Sequence, residues 1–176
     1  MARNVEIKAR VTDFDHQYQL AHGLAGQQST VIDQVDYFFN TEAGRQKLRV
    51  LSPIEGYLIF YDRPNQAGPK LSSYLISKTT EPEKLCDVLK AAYGVRTIVR
   101  KTRNYWMVGR TRIHLDQVES LGDFLELEVV LDDTEDVAIG VREAERLMKE
   151  LGIFDEQLVE SAYVDLLEAQ NFESSE

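Results

Sequence analysis

Ionic side chains recur at every second position along several short stretches of this chain, in the combinations that bind anions and metal ions. Lys8 follows Glu6 by two, and Arg45, Lys47 and Arg49 form a basic run at the same spacing. Lys101 precedes Arg103, Arg112, His114 and Asp116 alternate, and so do Glu126 and Glu128, while Arg63 and Lys78 close two further stretches. A spacing of two puts side chains on one face of a β-strand. Clustered Lys and Arg donate charge-assisted hydrogen bonds to phosphate oxygens, and carboxylates supply hard oxygen ligands to Mg²⁺ or Mn²⁺. A single charged strand face is ordinarily plain solvated surface. Here the opposite faces are apolar as well: Leu125, Leu127, Val129 and Leu131 lie behind Glu126 and Glu128, and Ile113 and Leu115 behind the Arg112 set.

The elements that would carry these faces are strands. Asn4–Val11 alternates strictly, and further strands are predicted over Gln34–Asn40, Gln46–Ser52, Gly56–Arg63, Leu71–Lys78, Thr97–Thr102, Tyr105–Val108, Thr111–Val118 and Phe124–Leu131. Hairpin-length turns separate them at Glu42-Ala43-Gly44, Pro53–Gly56, Pro64–Pro69 and Val108-Gly109-Arg110. Thr80-Glu81-Pro82-Glu83 reads as a capping box opening a helix that Gly94 stops, and Asp133 or Thr134 opens another that runs to Gly152. Asp13–Leu24 and Val159–Ala169 are shorter helix candidates. Eight or nine strands with too few helices for crossovers predict an antiparallel sheet that closes, or nearly closes, into a barrel.

Composition bounds what such a barrel does. With 176 residues, 43% hydrophobic and 28% charged, the chain is one globular domain, and its net charge of −10 argues against a nucleic-acid-coating role. No run of about 18 apolar residues offers a membrane span, and the first residues offer no apolar signal region. One Cys fits a reducing, cytoplasmic setting. The charge is segregated: residues 1–112 carry a net +6 and residues 113–176 a net −16. That split reads either as a solvated acidic C-terminal face or as a basic anion site facing carboxylates that hold cations. If the sheet closes with its charged faces inward, the second reading holds. A tunnel lined by many cations is self-repulsive when empty and makes sense around a highly charged anion such as polyphosphate, with divalent metal held by the carboxylates.

At this point the motifs resemble a known family. Asn4-Val5-Glu6-Ile7-Lys8 resembles the Glu-x-Glu-x-Lys signature of the CYTH superfamily, the triphosphate tunnel metalloenzymes that include class IV adenylate cyclases and thiamine triphosphatases. The similarity continues through Gln34–Phe38, Arg45–Arg49, Tyr61–Pro64, the His-Leu-Asp-x-Val block at 114–118, the Leu-Gly-x-Phe-x-Glu-x-Glu block at 121–128 and Ser161–Leu167, nearly the whole chain. It implies an α+β fold: an eight-stranded antiparallel closed β-barrel, the triphosphate tunnel, with flanking helices. A single tunnel domain over residues 1–170 and a frayed tail over 171–176 follow.

The resemblance implies Glu6, Asp116, Glu126 and Glu128 as metal ligands or helpers for Mg²⁺ or Mn²⁺, and with Lys8 as the catalytic set. Lys8, Arg49, Arg63, Lys101, Arg103 and Arg112 are the implied phosphate binders, joined by Arg45, Lys47 and Lys78 from the alternating faces. Asn4 stands where the signature has its first Glu; it keeps a carbonyl oxygen but no charge, which implies a weaker or relocated second metal. The implied activity is conversion of ATP to cyclic AMP and pyrophosphate. The alternatives are hydrolysis of inorganic triphosphate, thiamine triphosphate or a nucleotide, and, given Asn4, noncatalytic triphosphate sensing. The expected partners are ATP or another triphosphate, with no nucleic acid, no membrane and a homodimer left open.

Several residues carry plainer expectations. His114, with no second His at ligand spacing, is expected as a hydrogen-bonded wall residue. Cys86, Trp106 and Tyr105 are expected in the core, the aromatic pair having base stacking as its alternative. Tyr163 and Ser161 either close the tunnel or pack a helix, and Arg96 and Arg100 are expected on the surface.

Overall fold

The strict alternation near the N-terminus produces a strand, β1 (Ala2–Val11), and the same rule produces seven more in the computed structural model, which describes residues 1–173. These are β2 (Thr30–Phe39), β3 (Arg45–Ser52), β4 (Glu55–Asp62), β5 (Lys70–Thr79), β6 (Val95–Val108), β7 (Thr111–Val118) and β8 (Gly122–Leu131). All pair antiparallel and close in the order β1-β5-β4-β3-β2-β6-β7-β8. Closure leaves the sheet no free edge. The expected strand at 111–118 has those bounds, while the two expected at 97–102 and 105–108 are one strand, β6. Arg103 and Asn104 interrupt its apolar pattern, yet they pair with Asp116 and Leu115 on β7 and with Ile32 and Val31 on β2.

Four helices cover the outside: α1 (Phe14–Ala25), α2 (Pro82–Tyr93), α3 (Val137–Glu150) and α4 (Tyr163–Glu173). The core is therefore external to the barrel. Ile7, Ile113, Leu115, Leu125 and Leu127 point outward into one cluster with Ala21 of α1 and Leu147, Met148 and Leu151 of α3 and its end. Val5, Val129 and Leu131 pack on Ala144 of α3, and Phe39 and Leu48 pack on Cys86 and Leu89 of α2. Each fully buried Leu contributes about 2 kcal/mol of transfer free energy, which is what holds a barrel whose interior is ionic.

Helix starts differ from expectation. The Thr80–Glu83 capping box is not formed: Glu81 is the N-cap without a side-chain bond, and its N–H donates to Thr79 Oγ1 instead. Helix α3 begins after Asp136, whose carboxylate accepts from the Ala138 N–H. Helix α4 begins at Tyr163 rather than Val159, because residues 158–161 are drawn along β1: Val159 N–H donates to Lys8 O at 2.8 Å. The expected tail is in part the end of α4, and Ser174–Glu176 lie outside the described residues. Among the described residues no helix is long and apolar enough to cross a membrane.

Helix α3 approaches the barrel through Gly140. A Cβ there would stand 2.7 Å from Val5 Cγ2 and 2.9 Å from Leu131 Cδ2, inside contact distance. Alanine gains about 1 kcal/mol of helix propensity over glycine, whereas overpacking costs about 1–3 kcal/mol. Gly140→Ala is expected to lower stability by about 1 kcal/mol in urea denaturation, and a rise in the unfolding midpoint contradicts this packing.

Candidate functional site

The barrel encloses a cavity of about 360 Å³ lined by seven cationic side chains and four carboxylates. Although the chain carries −10 overall, the tunnel is net positive when all are ionised. Each strand contributes alternate residues: Glu6 and Lys8 from β1, Lys47 and Arg49 from β3, Lys101 and Arg103 from β6, Arg112 and His114 from β7, and Glu126 and Glu128 from β8. Register aligns them, since Glu6 faces Glu128, Lys8 faces Glu126 and His114 faces Glu126 across neighbouring strands.

Like charges stay together inside because buried carboxylates bridge them. Asp36, 2% exposed, accepts from Lys47 Nζ at 2.8 Å and from Arg49 at 2.8 and 3.0 Å. Asp116, 0% exposed, accepts from Lys101 Nζ at 2.6 Å, from Arg103 twice at 2.6 Å and from the Tyr163 hydroxyl at 3.1 Å. Burial opposes ionisation of both, but Arg49 and Lys47 at Asp36, and Arg103 and Lys101 at Asp116, hold the carboxyls far below the usual carboxylate range. Glu126 takes Lys8 at 3.2 Å and Arg103 at 2.8 Å, Glu128 takes Arg112 at 3.1 Å, and Glu6 takes Arg63 at 2.8 Å. Glu6 differs from the others: burial raises its carboxyl above the ordinary value against the opposing charge of Arg63. Burial pushes the ammonium groups of Lys8, Lys47 and Lys70 down to about 8.

The two ends are unlike. At the end carrying the β2–β3 and β7–β8 turns, the segment before α4 crosses the tunnel. Ser161 O accepts from Lys8 Nζ at 3.3 Å, Glu160 O accepts from Arg63 at 3.1 Å, and Tyr163 lies under Lys8 Nζ, 3.6 Å from its ring centre. Ala162 and Tyr163 thus line the floor. At the other end, marked by the β3–β4 and β6–β7 turns, the lining turns apolar and aromatic, with Ile32, Leu51, Ile76, Tyr57, Tyr74 and Tyr105.

Most of the expected site residues converge here, and three do not. Arg45 leaves the tunnel to bind Asp165 of α4 at 2.9 Å and Asn65 at 2.8 Å. Lys78 shares the inward face of β5 but lies beyond the barrel's rim; its side chain is 59% exposed and pairs with Glu55 at 2.9 Å. Asp116 is one layer behind the lining and accepts four hydrogen bonds, three on Oδ2 and one on Oδ1, so it positions Lys101 and Arg103 from behind rather than facing the cavity. Sequence reading missed the role of Asp36, whose signal was the alternation Gln34-x-Asp36-x-Phe38, and it missed buried Lys70, whose Nζ donates to Gln66 O at 3.0 Å. Trp106 is in the core, donating to Gln27 O, while Tyr105 is on the tunnel wall. Arg96 is exposed, as expected, and there binds Asp165 and Glu168 of α4.

Ligand atoms of His114, Glu126 and Glu128 lie within 4.8 Å of one another. His114 Nδ1 and Asn4 Oδ1 are both buried without a hydrogen-bond partner. Burial opposes ionisation of Glu126 and Glu128 too, but the cations Lys8 and Lys101 at the first and Arg103 and Arg112 at the second hold the carboxyls below the ordinary value, while burial drives the His114 imidazole toward its neutral form. An unpartnered imidazole nitrogen within 4.8 Å of two anionic carboxylates fits a divalent cation.

The CYTH domain family model matches residues 2–163. No curated protein matches the chain. Among solved structures, a Pyrococcus horikoshii protein aligns with TM-score 0.82 at 22% identity, over 93% of this chain and 98% of that one. A candidate adenylate cyclase of Vibrio parahaemolyticus aligns with TM-score 0.75 at 18% identity, over 94% and 97%. A candidate adenylyl cyclase of Hippeastrum, described as having a dominant triphosphatase activity, aligns with TM-score 0.63 at 16% identity, over 97% and 96%. At these identities the likeness is one of fold.

Two outcomes follow from the buried charges. Asp116→Asn leaves Lys101 and Arg103 without their shared anion and is expected to cost about 3 kcal/mol or more of unfolding free energy; a loss under about 1 kcal/mol contradicts the anchoring role. A polyanion restores the ammonium forms of the lysines now held near 8. Binding of metal-free inorganic triphosphate at about pH 8.5 is therefore expected to take up protons. Calorimetry in buffers of different ionisation enthalpy reads this directly, and identical enthalpies would show the lysines already protonated.

Proposed function

The chain belongs to the CYTH domain family, and from that premise we propose that it is a metal-dependent enzyme of the class IV adenylate cyclase kind, converting ATP to cyclic AMP and pyrophosphate. The observation that carries this reading is the polarity of the tunnel: a floor of lysines and a mouth of apolar and aromatic side chains, with the carboxylate and imidazole cluster between them. A molecule entering phosphate-first meets Lys8, Lys47 and Lys101 with its terminal phosphates. Its organic end then rests among Ile32, Leu51, Ile76 and the tyrosines.

In this reading the 3′-oxygen attacks the α-phosphorus, the bond to the bridging oxygen breaks, and pyrophosphate departs toward the floor. Arg49 and Arg103, whose guanidinium planes are fixed by Asp36 and Asp116, supply paired donors to the phosphate oxygens without reorganising. Lys8 and Lys47 neutralise the charge on the leaving pyrophosphate. Glu6 is the carboxylate whose raised basicity suits it to accept the proton of the attacking hydroxyl. Glu126 and Glu128, with His114 beside them, would hold a Mg²⁺ or Mn²⁺ ion, which would supply Lewis-acid neutralisation of the phosphate charge.

Hydrolysis of an organic triphosphate is the second reading. It is favoured by the same Glu6, which is equally suited to take a proton from water, and by the density of cations at the floor, where a terminal phosphate would sit. Incubation of the protein with ATP and Mn²⁺, with products resolved, decides between them. Cyclic AMP with pyrophosphate is expected; ADP with orthophosphate selects the second reading, and neither product together with an ATP-raised melting temperature selects a sensor. Glu128→Gln is expected to reduce the observed turnover by about 100-fold or more while keeping the fold.

A further inference from the structure

His114 contributes an imidazole to the tunnel lining, on β7 opposite Glu126. It is 3% exposed, and Tyr105 on the neighbouring strand holds its ring, the centroids 5.6 Å apart. Its Nδ1 is buried and makes no hydrogen bond; Glu126 Oε2 stands 3.7 Å away and Glu128 Oε1 3.8 Å away. Neither protonation state of the nitrogen satisfies this arrangement. With a proton, Nδ1 donates to nothing, because both oxygens lie beyond hydrogen-bond distance. Without one, its lone pair stands 3.7 and 3.8 Å from two carboxylate oxygens, of which Glu126 Oε2 also accepts from Arg103 at 2.8 Å, and no donor meets it. Ligands about 2.2 Å from a shared ion stand roughly 3–4.4 Å apart, the separation seen here.

A second departure points the same way. Asn4 replaces a carboxylate of the family signature, and its Oδ1 is likewise buried and unpartnered. The tunnel thus offers a neutral oxygen and a neutral nitrogen where an all-carboxylate site offers only anionic oxygens. Mg²⁺ takes hard oxygen ligands and keeps its waters, so imidazole adds little to its binding; first-row transition dications accept imidazole readily.

We infer that His114 is a metal ligand through Nδ1, and that this nitrogen biases the site toward Mn²⁺ over Mg²⁺. The inference rests on the reading of the tunnel as the metal-dependent site, and it is tested with Mn²⁺ alone, without turnover. Pulsed electron paramagnetic resonance of Mn²⁺ bound to the wild-type protein is expected to show nitrogen coupling from a directly coordinated imidazole. That coupling changes on labelling histidine with ¹⁵N and is lost in His114→Gln. His114→Gln is also expected to weaken Mn²⁺ binding by about tenfold or more while changing Mg²⁺ binding by less than about threefold.

Bound Mn²⁺ without nitrogen coupling, or equal weakening of both ions, overturns the inference. Should His114→Gln fail to fold, the double variant His16→Gln/His22→Gln, altered only on α1 outside the tunnel, must retain the coupling, and its loss there overturns the inference instead. In either case, product formation from ATP with Mn²⁺ leaves the enzymatic reading standing, whereas absence of any tunnel-bound Mn²⁺ removes both.

Discussion

Charge held out of water is the constraint from which the rest of this structure follows. Asp36 and Asp116 are anions at 2% and 0% exposure, each shared by a lysine and an arginine. Removing either partner from such a group costs far more than the pair contributes, so all three members must be placed together. A closed antiparallel barrel does this, because neighbouring strands bring alternate residues to one interior and register decides which meet. Arg103 opposite Asp116 and Arg49 opposite Asp36 are register pairs, so a slip of one residue would turn every one of these charges outward. The apolar shell under α1, α2 and α3 fixes that register from the other side.

This division of labour explains why the cations are useful rather than merely tolerated. A guanidinium already bonded to a buried carboxylate cannot swing, and its remaining donors keep their direction when an anion arrives. The lysines are different: burial drives the ammonium groups of Lys8 and Lys47 toward neutrality, so an anion bound beside them would draw out their full charge. Arginines set shape and lysines adjust charge, within one wall.

The barrel was legible because alternation is a property of single strands. Seven of its eight strands were read singly, and the inward faces of β1, β3, β7 and β8 were visible as ionic residues two apart with leucines behind them. What was not legible depended on where a strand stops or on what lies across the cavity. Lys78 keeps the correct parity but falls past the rim, and parity carries no depth. Arg45 is claimed by Asp165, more than a hundred residues away in sequence, and no local pattern announces that. Asp116 and His114 alternate on the same strand, the first expected at the metal and the second as a hydrogen-bonded wall residue; the neighbours on β6 and β8 show instead the first held by cations and the second left with an unpartnered nitrogen. The capping box failed because the helix begins one residue later than the motif implies: Glu81, not Thr80, is the N-cap, and its own N–H donates to the Thr79 hydroxyl.

The strap from Leu158 to Tyr163, bound to β1 through Lys8 and to the end of β4 through Arg63, turns a pipe into a flask. A flask has one doorway, so traffic through it is ordered by position: whatever occupies the bottom is last to leave, and nothing can be pushed out from behind. In the proposed reading the organic fragment near the neck departs first, and the more highly charged fragment at the base stays until it unbinds against the whole ring of cations. In that reading, residence at the base rather than bond making is the step that sets the pace of such a vessel.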